Sequence, residues 1–278
     1  MEGGWLREEH YGAYARYLLQ FIEQYQAEGV PLHAITVQNE PLSLNKRYPT
    51  TLMLPAAQMK LISQHVGPLL RSHNCSVRIW AFDHNFDGGD MEYPQQLLRS
   101  AARQFIDGIA YHNYAGHASS MSRLHAEFPD SGIYFTEGSV YGVSGAQAIV
   151  QYFRNWAQSY NAWVTILDEN GQPNSGPFVP DPTMVQLNST DGSVVYRYEY
   201  FMYGQFSKFI RPGAVRVSSE FAAAVGDGIE HVAFIHDDGR HALVLVNYGL
   251  TEQAVDVQWR GWGARVTVCS ACVITVVW

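Results

Sequence analysis

This sequence predicts an α/β fold, an incomplete arc of βα units, followed by a small all-β module. Three observations predict it. From Glu8 to about Ile210, short apolar strand-like runs alternate with longer amphipathic helical patterns. After Pro212-Gly213 the helical period vanishes and period-two β patterns follow one another. Two of the early strand runs end in a glutamate followed by a chain-turning residue: His33-Ala34-Ile35-Thr36-Val37-Gln38-Asn39-Glu40-Pro41 and Gly132-Ile133-Tyr134-Phe135-Thr136-Glu137-Gly138-Ser139.

Taken in order, Glu8 to Glu28 reads as a helix. Tyr11, Tyr14, Ala15, Leu18, Leu19, Ile22 and Tyr25 recur at intervals of three and four, and Gly29 with Pro31 stops it. A buried strand over His33–Gln38 follows. Pro55–Ser72 is the next helix, with Met59, Ile62, Val66 and Leu69 on one face. Val77–Phe82 is a strand ending in Asp83-His84-Asn85. A helix over Tyr93–Gln104 leads to the strand Gly108–Tyr111, which ends in His112-Asn113-Tyr114. Ser119–Glu127 is helical before the strand Ile133–Thr136, and Ala146–Gln158 is helical before the strand Ala162–Leu167. That makes about five strands, where a closed (β/α) barrel needs eight.

Gly171 to Ser193 is rich in Pro, Asn, Gly and Asp and reads as a long loop that shapes a site. Tyr196–Ile210 is an aromatic-rich helix. Ala214–Ser218, Ile229–His236, Ala242–Asn247, Ala254–Trp259 and Arg265–Trp278 are strands joined by turns such as Asp237-Asp238-Gly239-Arg240, so an antiparallel sandwich or sheet is expected. The domains expected are 1–212 and 213–278.

Composition narrows the function classes. The chain has 278 residues, 47% hydrophobic and 16% charged, enough for a sizeable core. A net charge of −8 provides no basic field for nucleic acid or anionic lipid. No apolar run approaches the roughly 20 residues of a membrane span. Met1-Glu2-Gly3-Gly4-Trp5 lacks the basic and apolar regions of a secretion signal, which leaves localisation open. The sequon Asn188-Ser189-Thr190 carries no weight without such a signal. Of the three cysteines, Cys75, Cys269 and Cys272, the last two have the spacing of a redox or half-zinc motif. They lie in a strand-like run without a second pair, so they read as small hydrophobes, and no disulfide scaffold is expected.

A carboxylate presented where a buried strand emerges is how an α/β barrel displays a catalytic acid. Two of them, Glu40 and Glu137, suit glycoside hydrolysis, which needs a proton donor and a nucleophile or base. The two acids must differ in pKa, and the expected state is an ionised Glu137 beside a protonated Glu40. Read alone, either glutamate also fits a strand-end residue satisfied by nearby backbone. Likewise His112 fits a packed, hydrogen-bonded histidine, and Tyr114 and Trp163 fit core aromatics.

With these motifs in order, the chain resembles glycoside hydrolase family 30, which includes glucosylceramidases and β-1,6-glucanases. The resemblance runs over essentially the whole sequence. Gln38-Asn39-Glu40-Pro41 resembles the acid/base strand, the fourth of a TIM-type barrel, and Thr136-Glu137-Gly138 the nucleophile strand, the seventh. Asp83-His84-Asn85, His112-Asn113-Tyr114 and Ser207-Lys208-Phe209-Ile210 are also similar to family segments. The chain would then carry strands four to eight. The resemblance implies a retaining β-glycosidase acting on β-glucosides or related sugars. Glu40 would be the general acid/base and Glu137 the nucleophile. Asn39 would bond the sugar 2-hydroxyl, His112 and Tyr114 would sit beside the nucleophile, His84 would line the pocket and Trp163 would flank the ring. The partner is a carbohydrate substrate, and no metal or organic cofactor is required.

Complete family members carry three more βα units and a further piece of the β module ahead of this region, so Met1 to Trp5 reads like the interior of such a protein. An arc of five strands exposes edges and an apolar interior. A second copy of the chain is therefore expected to cover the open side, giving a homo-oligomer. The alternative is a truncated, weakly active or inactive carbohydrate-binding fragment that folds through self-association.

Overall fold

The computed structural model of the chain describes residues 3–45, 48–87, 92–139, 141–174, 183–221 and 228–278. They divide into two compact units. The first runs to Gly138 and takes in Asn155–Asn161. The second comprises Ser139–Arg154, Ala162–Asn174 and the described chain from 183 onward.

Four parallel strands build the first unit: β1 (Ala34–Thr36), β2 (Arg78–Asn85), β3 (Gly108–His112) and β4 (Gly132–Glu137), hydrogen-bonded in sequence order. Such an order requires a crossover between each pair, and helices supply it: α2 (Pro55–Leu61) and α3 (Gly67–Ser72) between β1 and β2, α4 (Glu92–Leu98) between β2 and β3, and α5 (Ser119–Glu127) between β3 and β4, while α1 (Tyr11–Ala27) precedes β1. Of the stripe its periodicity predicts, helix α1 buries Tyr11, Ala15, Leu18, Leu19 and Ile22, while Tyr14 is half-buried and Tyr25 exposed. Strand β3 is buried along its whole length, as a strand covered on both faces must be. Leu61, Ile62, Leu97, Ile109, Met121, Leu124, Ile133 and Phe135 are fully enclosed. Each such side chain contributes about 1.5–3 kcal/mol.

Three of the expected elements differ. The helix over 55–72 widens into a π-turn at Ile62–Val66 between α2 and α3. Pro68 has no N–H to donate to the preceding turn and its ring crowds that carbonyl, so the ladder is displaced there. Gly67 is required beside it, because a Cβ would lie 2.3 Å from the ring of Phe105. The helix expected over 93–104 stops at Leu98, and Ala101–Phe105 forms a 3₁₀ turn. Ser100 causes the restart: its hydroxyl accepts the Ala102 N–H at 3.1 Å, as an N-cap does. Of the strand expected over 162–167, only Ile166 and Leu167 lie in a strand. The chain meets β4 earlier, through a parallel bridge of Tyr160 to Phe135 flanked by Gln158 N–H to Ile133 O (2.8 Å) and Asn161 N–H to Phe135 O (3.2 Å).

In the second unit α6 (Gly142–Arg154) is followed by three short strands, β5 (Ile166–Asp168), β6 (Val185–Leu187) and β7 (Val194–Tyr196), paired in that order. Strand β6 thus lies within the segment expected to be all loop; residues 175–182 of that segment fall outside the described residues. The sequon forms the β6–β7 turn, closed by Asn188 N–H to Ser193 O at 2.8 Å. Helix α7 (Tyr198–Ser207) precedes β8 (Val215–Val217), β9 (Ile229–Ile235), β10 (His241–Asn247), β11 (Gln253–Trp259), β12 (Trp262–Val268) and β13 (Cys272–Val277). An antiparallel sheet in the order β13-β10-β9-β8 faces the β11–β12 pair. Leu243, Leu245, Val255, Val257 and Val268 fill the space between them.

The run from Arg265 to Trp278 reverses direction instead of continuing as one strand. Cys269 and Cys272 bracket the turn and form a disulfide with Cα atoms 5.5 Å apart, which corrects the expectation that they are only small hydrophobes. Buried Asn247 anchors the same turn. Its Nδ2 donates to the carbonyls of Thr251 (2.8 Å), Val268 (3.1 Å) and Cys269 (2.9 Å), and its Oδ1 accepts the Gly249 N–H (3.0 Å). Among the described residues no helix is long and apolar enough to cross a membrane.

Candidate active site

All the site chemistry of the first unit gathers at the carboxyl ends of β1 to β4. Strand β1 is short because the chain turns after Gln38, and Glu40 adopts a left-handed backbone with φ +45°. That conformation costs a non-glycine residue about 1–2 kcal/mol, and the bond from Glu40 N–H to the Asp83 carbonyl (2.9 Å) holds it. Strand β2 bulges at the same level. The register of its pairing with β3 shifts between Phe82 and His84, and Phe82 and Asp83 have φ +73° and +62°. A bulge of this kind re-aims a side chain, and here it turns the Asp83 carboxylate inward, 5% exposed.

Asp83 is the hub. One oxygen accepts from Thr136 Oγ1 on β4 (2.7 Å) and from His112 Nε2 on β3 (3.1 Å); the other accepts from Thr36 Oγ1 on β1 (2.6 Å). The His112 ring is buried and lies between the two glutamates. Its Nδ1 is 3.5 Å from Glu40 Oε1, and its Nε2 is 3.9 Å from Glu137 Oε2. One oxygen of Glu40, one ring nitrogen of His112 and one oxygen of Glu137 all lie within 4.8 Å of one another. Both carboxylates keep a little under one-fifth of their side-chain surface open to solvent, so a ligand can reach them.

Charge in this cluster follows from the geometry. Burial alone depresses an imidazolium, but the hydrogen bond to Asp83, the 3.5 Å approach of Glu40 and the charges of Asp83 and Glu137 outweigh it, raising His112 to about 9. The contact with His112 holds Glu40 below the usual carboxylate range, against the opposing effect of burial. Burial pushes Glu137 up, and the His112 charge and the Tyr114 hydroxyl only partly offset it. The free protein therefore reverses the expected order of the two acids. The reason is position: the imidazole points Nδ1 at Glu40 and gives its Nε2 bond to Asp83, leaving Glu137 only a 3.9 Å contact to set against burial. Glu40, His112 and Glu137 have the spacing to enclose a cation, and a metal ion binding there would compete with the proton on the His112 ring.

The remaining residues divide. Tyr114 donates its hydroxyl to Glu137 Oε1 at 3.0 Å, and its backbone N–H goes to Asn85 Oδ1 at 3.0 Å. His84 has a buried Nδ1 without a hydrogen-bond partner among the described residues, and desolvation lowers its pKa. Asn39 is exposed beside Glu40. Gly138 is needed where it stands, because a Cβ would fall 2.5 Å from Asn113 Oδ1. Trp163 belongs to the second unit, where it is half exposed and its carbonyl accepts from the Tyr141 hydroxyl at 2.8 Å. Its part in holding a sugar rests on resemblance alone. Sequence reasoning passed over Asp83, Thr36 and Thr136. Asp83 carried a signal all the same, since it too is a carboxylate at the end of an apolar strand run.

Comparison with known proteins agrees with this architecture. Residues 3–210 match the sequence model of the glycosyl hydrolase family 30 TIM-barrel domain, and residues 213–276 that of the family's beta sandwich domain. An endo-1,6-beta-D-glucanase of Neurospora crassa is 33% identical over 248 residues, covering 84% of this chain and 51% of the relative. The lysosomal acid glucosylceramidase of Mus musculus is 25% identical over 258 residues, covering 84% and 49%. Among solved structures, the endo-beta1,6-glucanase BT3312 superimposes with a TM-score of 0.91 at 27% identity, over all of this chain and 64% of that one. The chain spans about half the length of the curated relatives it matches.

Proposed function

From the premise that this chain belongs to glycosyl hydrolase family 30, we propose that it is a retaining glycosidase of β-linked glucosides, working through Glu40 and Glu137. The observation that carries the reading is the approach of the two carboxylates to within 4.8 Å around one buried imidazole. Double displacement needs carboxyl groups about 5 Å apart, whereas single displacement through water needs roughly 6.5–9.5 Å. Glu137 attacks the anomeric carbon as the bond to the leaving oxygen breaks and that oxygen takes a proton from Glu40. Glu40 then removes a proton from water, which displaces Glu137 and restores the free acid pair. Tyr114 bonds one oxygen of Glu137 and so orients the other for attack. A bound sugar strips water from Glu40 and raises its pKa, and His112 Nδ1 at 3.5 Å stands ready to share the proton. Exposed Asn39 is placed for the 2-hydroxyl, and the unpartnered nitrogen of His84 for another. Relatives named for β-1,6-glucan and for glucosylceramide share a β-glucosyl unit, which supports that choice of substrate.

The test is a panel of aryl β-glucoside, xyloside, fucoside and galactoside, with a β-1,6-linked glucose disaccharide. Turnover of the glucosides with retention of configuration is the expected result; binding without any turnover favours a carbohydrate-binding fragment instead. A second reading has one observation behind it. The opposite pKa directions of the two glutamates suit Glu40 as nucleophile and Glu137 as acid.

Self-association belongs to the same proposal. Strand β1 has only β2 as a hydrogen-bonded neighbour among the described residues, and α1 exposes Tyr17, Phe21 and Tyr25 along one stripe. Light scattering coupled to size exclusion at micromolar concentration should give the mass of at least two chains; a single-chain mass with cooperative melting refutes association.

A further inference from the structure

We infer that Asp83 is the positioning residue of this site: it fixes and charges the His112 ring between the two glutamates and, through its own carbonyl, sets the backbone of Glu40. The inference rests on the glycosidase reading for its consequence in rate, but its physical content is independent of turnover.

The geometry carries it. Asp83 is bonded to all three other strands of the sheet, through Thr36, His112 and Thr136, and its carbonyl takes the N–H of Glu40. Thr136 precedes Glu137 directly, so this one residue ties down the approaches to both glutamates. A carboxylate needs no such array merely to be satisfied. A buried carboxylate is far costlier to enclose than an amide of the same shape unless it faces a cation. The cation it faces is His112. The backbone supports the same reading, because two successive non-glycine residues, Phe82 and Asp83, are held at positive φ. Unfavourable conformations of this sort persist where the surroundings enforce them and cluster at functional positions. Without the bulge, alternation along β2 would carry the carboxylate away from the other three strand ends.

The chemical consequence is specific. Two carboxylates within 4.8 Å repel each other, and the buried His112 cation between them offsets that repulsion. The groups facing the His112 ring are Asp83 from β2, Glu40 after β1, Glu137 on β4, with His84 close by and the edge of Tyr114. Three of them are acidic, and Asp83 makes the shortest bond to the ring. Asp83 is therefore the group that locks which nitrogen faces which acid.

The test uses the whole chain and does not depend on catalysis. The His112 ring is followed by NMR titration in wild type and in Asp83→Asn, an exchange that keeps the shape and removes the charge. In wild type His112 is expected to titrate near 9. In Asp83→Asn its titration should move down by about one to two pH units, the worth of a charged hydrogen bond. On a β-glucoside, kcat should fall about 10²-fold or more with KM little changed. The alkaline limb of the rate should shift to lower pH with the ring. His112 titrating at or below 6.5 in wild type overturns the inference even if the variant fails to fold. So does an unmoved titration in a folded Asp83→Asn protein. Absence of turnover in wild type would remove the glycosidase reading and leave the titration to decide this one.

Discussion

A Glu137→Ala variant loses turnover of an aryl β-glucoside by about 10⁴-fold or more, and azide restores part of it as the α-glycosyl azide. The reasoning is stereochemical. If Glu137 attacks the anomeric carbon from the face opposite the leaving group, removing its side chain leaves a hollow on that face, and azide attacks from it with inversion. A folded Glu137→Ala protein retaining full activity ends the assignment. Recovery of the β-glycosyl azide from this variant instead supports the reversed reading, in which Glu40 is the nucleophile. The wild-type rate should also fall on acidification, because only ionised Glu137 attacks. Burial raises the pKa of Glu137, so the loss begins above the usual carboxylate range as pH drops.

Glu40→Gln separates the two half-reactions. With a poor leaving group the rate should drop about 10²–10⁴-fold, the contribution of a positioned acid. With dinitrophenyl β-glucoside, whose leaving group needs no proton, formation of the glycosyl-enzyme should be almost unaffected, and a burst followed by slow hydrolysis should appear. The acidic limb survives, since it belongs to Glu137. Equal losses on both leaving groups would show that Glu40 is not the acid. In wild type the contact with His112 holds Glu40 ionised in the free protein. Its acid form must therefore arise in the complex, so the pH profile of kcat should extend further to the alkaline side than that of kcat/KM.

Which parts were legible follows from the range of the forces involved. Helix α5 has the bounds expected for it, Ser119 to Glu127, because helix formation is decided by residues within a turn of one another. The break at Ser100 and the π-turn before Pro68 come from single residues whose local chemistry overrides the surrounding pattern. The strand expected over 162–167 begins only at Ile166, and its apolar residues read as buried although Trp163 and Ile166 are half exposed. The reversal at Cys269–Cys272 escaped because a cysteine in a β pattern looks like any small apolar residue until its partner is located.

Sequence by itself determined the alternation of strand and helix, the change to an all-β module and the presentation of Glu40 and Glu137 at strand ends. Each of these depends on side-chain type and spacing over a few residues. Tertiary structure alone decided that His112 lies between the two acids, that a bulge turns Asp83 inward to bind it, and that the ring stands closer to Glu40 than to Glu137. Those outcomes depend on which strands are neighbours and on how far water reaches, and a carboxylate's proton affinity is set by that surrounding field more than by its place in the chain.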